Sequence, residues 1–212
     1  MRNVDYAKRG NRREYIGFDN VFSNYDDDAN DIEKVKKCVE NGEDVNEVVR
    51  HSTKLLRATR YGNAEVVEYL LKHGANVDCV YYGDTPLKIA AKYGYADIVK
   101  ILLKYSANVN YPNSDSGYTA LALAAGCGHI DIVKILLEFG ANKFIGEYDV
   151  EYDRDISRFI TPLVSAASAG HFDVVKLLVD GVKYDKDEIV SAIKEAYLGN
   201  HKEIAHFLIN LE

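Results

Sequence analysis

Six histidines and three cysteines are the side chains best suited to acid–base, nucleophilic or metal chemistry in this chain. His129, His171 and His201 each follow the residue, Gly128, Gly170 or Asn200, that closes a recurring phrase. That shared place makes them parts of a repeat rather than a catalytic set. His73 precedes Gly74 near an expected helix end, where a cation meets the helix dipole. His201 and His206 are five apart, and no Cys or carboxylate completes a tetrahedral set, so no metal is expected. Cys127 has His129 two residues away, but sequence neighbours rarely form a nucleophile–base pair, and the thiol reads as structural. Gly126-Cys127-Gly128 is not followed by Lys-Ser/Thr, so it is no phosphate-cradling loop. Asp26-Asp27-Asp28 with Asn30 and Asp31 lacks the alternating ligands, glycine and terminal Glu of a calcium loop. It reads as a solvated run that discourages helix before residue 30. No nucleophile, base and orienting group stand out together, so the expectation is a non-enzyme without a cofactor.

Composition narrows the class further. Across 212 residues, 47% are hydrophobic and 28% charged, values of a globular chain. With 26 Lys+Arg against 33 Asp+Glu the formal net charge is −7, which argues against a nucleic-acid coat. Cys38, Cys79 and Cys127 are odd in number and far apart, which suits a reducing compartment better than a disulfide framework. No run of about 18 apolar residues exists, so no membrane span is expected. Residues Met1 to Arg9 lack the apolar core of a secretory signal. A cytoplasmic protein is the expectation.

The elements that position these residues come from internal repetition. Thr85-Pro86-Leu87-Lys88-Ile89-Ala90-Ala91-Lys92-Tyr93-Gly94 is one phrase. Thr119 to His129 and Thr161 to His171 repeat it, Thr53 to Asn63 matches more loosely, and Ser191 to His201 is the weakest copy. The openings lie 32, 34, 42 and 30 residues apart. A second phrase follows each first, as in Asp97-Ile98-Val99-Lys100-Ile101-Leu102-Leu103, with apolar residues at helical spacing. A turn phrase such as Gly74-Ala75-Asn76-Val77-Asp78 closes the unit. Thr supplies a helix N-cap, Pro86 and Pro162 suit the first helical position, and paired alanines allow close helix approach.

These phrases resemble the ankyrin repeat, whose period is about 33 residues and whose opening is T-P-L-H-x-A-A. The resemblance covers roughly residues 28–210. It implies an all-α fold, an ankyrin-repeat solenoid of stacked helix-turn-helix units with protruding β-hairpin-like loops. Residues 1–27 are read as an N-terminal extension and cap, with Tyr15, Ile16, Phe18, Val21, Phe22 and Tyr25 folding onto the first layer. The array divides into 28–52 (partial), 53–84, 85–118, 119–160, 161–190 and 191–210, the last a C-terminal cap. Lys194, Glu195, Lys202 and Glu203 are expected to give that cap a polar outer face.

Three departures stand out. The family His after T-P-L is replaced by Leu56, Lys88, Ala122, Val164 and Lys194, so the usual side-chain network between turns is expected to be missing. Val179-Asp180-Gly181-Val182 places its glycine one position early, a one-residue deletion. The longest spacing implies an insertion at 144–160. From Glu147 to Asp153 it alternates acid with Tyr or Val, as an extended finger would.

The resemblance implies that partners meet the concave face, built from first helices and loop tips. The two positions before each helix-turn glycine are expected to line it: Arg60-Tyr61, Lys92-Tyr93, Gly126-Cys127, Ser168-Ala169 and Leu198-Gly199. Arg57 and Lys88 lie one turn earlier. The groove would run from basic and aromatic to small and shallow. Candidate protein-binding residues are Arg57, Arg60, Tyr61, Tyr81, Tyr82, Lys92, Tyr93, Tyr111, Tyr148 and Tyr152, since Tyr and Arg are frequent interface anchors. The expected activity is protein–protein binding by a monomer, with a partner that places acid near Arg57, Arg60 and Lys92. Alternatives are an immunity or inhibitor protein masking a basic toxin or enzyme, and a viral or bacterial effector or adaptor in a host cytoplasm. A nucleic-acid binder would use Arg57, Arg60, Lys88 and Lys92, against the net charge.

Overall fold

The structure, a computed structural model, describes residues 31–49, 52–81, 83–111, 118–145, 147–149 and 158–211. The expected N-terminal cap and its aromatics lie outside these residues. The elements run α1 (Ile32–Glu40), β1 (Val48–Val49), β2 (Ser52–Thr53), α2 (Lys54–Arg60), α3 (Ala64–Lys72), α4 (Pro86–Tyr93), α5 (Ala96–Lys104), α6 (Ala120–Gly126) and α7 (Ile130–Glu138). They continue with β3 (Glu147–Asp149), β4 (Arg158–Ile160), α8 (Pro162–Ala169), α9 (Phe172–Val179), α10 (Lys186–Leu198) and α11 (Lys202–Ile209).

Each unit is punctuated by residues that satisfy orphaned helix-end groups. Thr53, Thr85, Thr119 and Thr161 accept at Oγ1 from Leu56 N, Lys88 N, Ala122 N and Val164 N, at 3.1–3.3 Å. Pro86 and Pro162 stand in the first turn, where a missing N–H costs nothing. The first helices then end on a left-handed residue. At Gly94, φ is +83°, and a Cβ there would meet His129 Cε1 at 2.9 Å, so both backbone and space demand glycine.

First helices α2, α4, α6, α8 and α10 pack one on the next, and second helices α3, α5, α7 and α9 form a parallel row. The paired alanines Ala90-Ala91, Ala124-Ala125 and Ala166-Ala167 are wholly buried between first helices. Leu70, Leu102, Leu136 and Leu178 hold one slot of the second helices, and all four are fully buried. One copy cannot cover these faces, so stacking supplies the core. The turns are laced as well. Asn46 Oδ1 accepts from Asn76 N at 2.7 Å, Asp78 Oδ1 from Asn108 N at 3.0 Å and Asn110 Oδ1 from Asn142 N at 2.8 Å.

Three details differ from the sequence expectation. Lys88 is 1% exposed, and its Nζ donates to Gly83 O at 3.2 Å. A side-chain tie therefore exists at the slot where the family places His. The last first helix starts at Lys186 rather than at Ser191. Asp185 caps it, accepting from Glu188 N at 2.7 Å, and Ser191 lies inside, donating to Asp187 O. Asp185 with Glu188 three residues on is a strong start signal that a search keyed to threonine passes over. Glu195, expected on the polar outer face, is buried, whereas Tyr197 and Leu198 are exposed.

The shortened turn expected at Gly181 is present, and side chains repair it. In three copies the Leu carbonyl near the end of the second helix accepts a backbone amide: Ala75 N to Leu70 O, Ala107 N to Leu102 O, and Ala141 N to Leu136 O. The copy with the deletion has no such amide. There Leu178 O accepts from Lys143 Nζ at 3.0 Å and from Tyr184 Oη at 3.2 Å. The Tyr184 ring also meets Phe144, centroids 5.1 Å apart.

Candidate interaction groove

Five first helices end in Gly62, Gly94, Gly128, Gly170 and Asn200, all at positive φ. The residue pairs before them are therefore equivalent in space and form a row: 60–61, 92–93, 126–127, 168–169 and 198–199. The next layer holds this row from behind. Tyr95 Oη donates to Arg60 O at 3.5 Å, His129 Nε2 to Lys92 O at 3.1 Å and His171 Nε2 to Gly126 O at 3.1 Å. A carbonyl can only accept, so each His must carry its proton on Nε2 in this bond. The histidines thus act as struts, as their shared slot implied.

Most of the candidates gather at the first two layers. Arg57 and Arg60 are half-buried on α2, and Tyr61, its C-cap, is 42% exposed. Arg57 Nε is buried with no hydrogen-bond partner among the described residues. Lys92 and Tyr93 are half-buried on α4, which packs directly on α2. The Lys92 ammonium lies 5.4 Å from the Tyr93 centroid, and Tyr93 stacks on Tyr95 at 6.0 Å. Tyr81 stands at the loop before α4, its backbone bridged to Asp84 in both directions.

The remaining candidates are not joined to this cluster. Tyr111 is half-buried at the start of a loop, its amide donating to Asn108 O at 3.1 Å. The backbone of Tyr148 lies in β3, opposite Phe159 of β4. Tyr82 and Tyr152 lie outside the described residues. Buried Lys88 does not face solvent, so it drops out of the basic patch that nucleic-acid binding would use.

Along the row the chemistry changes. The first two pairs are cationic and aromatic, Gly126, Cys127, Ser168 and Ala169 make a shallow middle, and Leu198 at the end is 69% exposed. Partial burial of its sulfur pushes the Cys127 thiol up, opposed by the Lys92 charge. Among the described residues, no three His, Cys, Asp or Glu side chains stand close enough to hold a metal ion. No helix there is long and apolar enough to cross a membrane.

Two contributors escaped the sequence reading. Tyr95 occupies the strut slot that later copies fill with His, a signal visible once residues after each glycine are aligned. Val190, 50% exposed, lies eight residues before Leu198 on the same stripe of α10. It was hidden because that helix starts early. The family model for ankyrin repeats in three copies matches the chain over residues 27–113, 83–147 and 111–187. No curated protein matches it.

Proposed function

The chain belongs to the ankyrin repeat family, whose arrays are general protein–protein interaction modules, and from that premise we propose that it binds a partner protein without catalysis. Contact is through the row of residues before the helix-turn glycines. The observation that carries this reading is the row of struts. Tyr95, His129 and His171 fix the backbone at Arg60, Lys92 and Gly126 before any partner arrives. A surface already ordered loses less freedom on binding. The partner places carboxylates over Arg57, Arg60 and Lys92, which speeds encounter and makes it salt-sensitive. Cys38, Cys79 and Cys127 are in no disulfide, which suits a reducing compartment such as the cytoplasm.

The test is affinity capture from a lysate of the source cells, read by mass spectrometry. Wild type is compared with an Arg60→Glu/Lys92→Glu/Tyr93→Ala variant whose melting curve is unchanged. One protein held by wild type and lost by the variant is the expected result. Equal capture by both would remove the groove from this function. The net charge of −7 favours a second reading, an inhibitor that masks a basic toxin or enzyme. Co-transcription with a gene for such a protein is its expected mark, and capture of an acidic partner would reject it.

A further inference from the structure

We propose that the groove takes one linear segment of its partner with two unlike ends, acidic over α2 and α4 and bulky apolar over α10. The inference rests on the protein-binding reading above and adds the chemistry and length of what is bound.

The basic end has three cations, Arg57, Arg60 and Lys92, beside half-buried Asp84 and the exposed carboxylates Glu65 and Asp97 that open the second helices. Arg57 adds a separate sign of an anionic visitor. Its Nε is buried without an acceptor among the described residues, and an orphaned donor of a charged group is costly to keep. A partner carboxylate can meet the accessible part of this half-buried guanidinium, for which arginine is suited by its planar fork of donors.

The other end is apolar. Val190 and Leu198 lie on one stripe of α10 with exposed Lys194 between them, and Tyr197, 46% exposed, stands beside Leu198. Nothing among the described residues covers this stripe. Tyr197 occupies the slot of Ala91, Ala125 and Ala167, which are wholly buried where a further helix packs. The Tyr197 ring therefore stands on the end face of the stack, and Leu198 beside it is the apolar side chain in the groove row. The floor between the two ends is Gly126, Cys127, Ser168 and Ala169, side chains small enough for a backbone to run close above them.

The length follows from the stacking. Five first helices are separated by four steps, and helix axes in contact lie about 8–10 Å apart, giving roughly 32–40 Å from α2 to α10. An extended chain covers about 3.3 Å per residue, so about ten to twelve residues bridge the ends. A segment with its acidic and apolar ends only a few residues apart reaches one end alone and loses the gain from linking two weak contacts.

The experiment is selection from a random library of 16-residue peptides displayed on phage, using the whole chain as bait. Selected peptides are then synthesised, and their Kd is read by fluorescence anisotropy. The expected peptides carry two or more Asp or Glu at one end and Leu, Phe or another bulky apolar residue about ten positions away. Arg60→Glu/Lys92→Glu is expected to weaken them about tenfold or more, and Leu198→Asp by about tenfold. Moving the two ends to within four residues is expected to lose a similar factor. Leu198 is exposed, so its variant folds, and Val190→Ser gives a milder check on the same end. Peptides that respond to the groove variants but lack the spaced pattern overturn this inference and leave the protein-binding groove standing. Peptides indifferent to every variant overturn both. No enrichment overturns the linear segment, while the capture experiment still judges the groove.

Discussion

The three regular turns and the shortened one at the end of α9 solve the same problem by different means. All four bury the same leucine completely, at Leu70, Leu102, Leu136 and Leu178. In the regular turns the leucine carbonyl is satisfied by a backbone amide five residues on. In the shortened turn it is satisfied by the tips of two side chains, Lys143 from the preceding layer and Tyr184 from the loop that follows. A backbone bond survives nearly any sequence at that turn. A side-chain bond exists only while those two residues do, so the deletion has turned a generic joint into a specific one.

The largest effect tests what the turns share. Leu102→Ala, Leu136→Ala and Leu178→Ala are each expected to destabilise by about 2–5 kcal/mol in denaturant melts. A much smaller loss at Leu178 would show that the fifth layer is not part of the common core.

The next test separates the joints. Tyr184→Phe combined with Lys143→Met leaves Leu178 O without either donor and is expected to cost about 1–3 kcal/mol by thermal melting. Ala75→Ser, at a half-buried position whose amide keeps the Leu70 bond on the backbone, is expected to cost less than that double variant. Equal losses would erase the distinction.

A smaller effect depends on pH. Burial pushes the Glu188 carboxyl up from its ordinary value, opposed by a hydrogen bond from the Thr161 side chain, and the Asp185 charge adds to the rise. The folded state therefore holds this proton more tightly than the unfolded chain. The penalty is absent below the unfolded pKa and grows as pH climbs through the folded value. Glu188→Gln is expected to raise Tm at pH 7 and to flatten that part of the Tm–pH curve. A parallel curve with no gain would contradict it. The smallest change concerns a regular turn. Ser106 has φ +65° where the equivalent Gly74 and Gly140 have +87° and +82°. Ser106→Gly is expected to stabilise by up to about 1 kcal/mol in chemical melts.

The contrast also shows what could be read beforehand. The Thr caps, helix-turn glycines and buried leucines follow from local rules, so a repeated phrase carries them: Thr85, Gly94 and Leu102 hold the places their copies predicted. The deletion at Gly181 was visible too. Its repair was not, because Lys143 and Leu178 meet only through stacking and nothing in either phrase marks the pairing. Lys88 looks like a surface cation in a list of residues, yet the Gly83 carbonyl draws it inside. At the groove, the pairs at 60–61 and 92–93 followed from register. Their support by Tyr95 and His129 depends on rings reaching back one layer, and the exposure of Val190 depends on a helix that starts five residues early.

The reach of those rings sets an order in time. A ribosome releases the chain from its first residue onward, and the bond that fixes Arg60 waits for Tyr95. Lys92 waits for His129, and Gly126 for His171. Each stretch of groove is finished only once the chain some 35–45 residues further on has emerged and docked. A nascent chain thus shows its partner an unfinished surface until the layer behind has folded. Binding before completion of synthesis is weakest at whichever layer has most recently appeared.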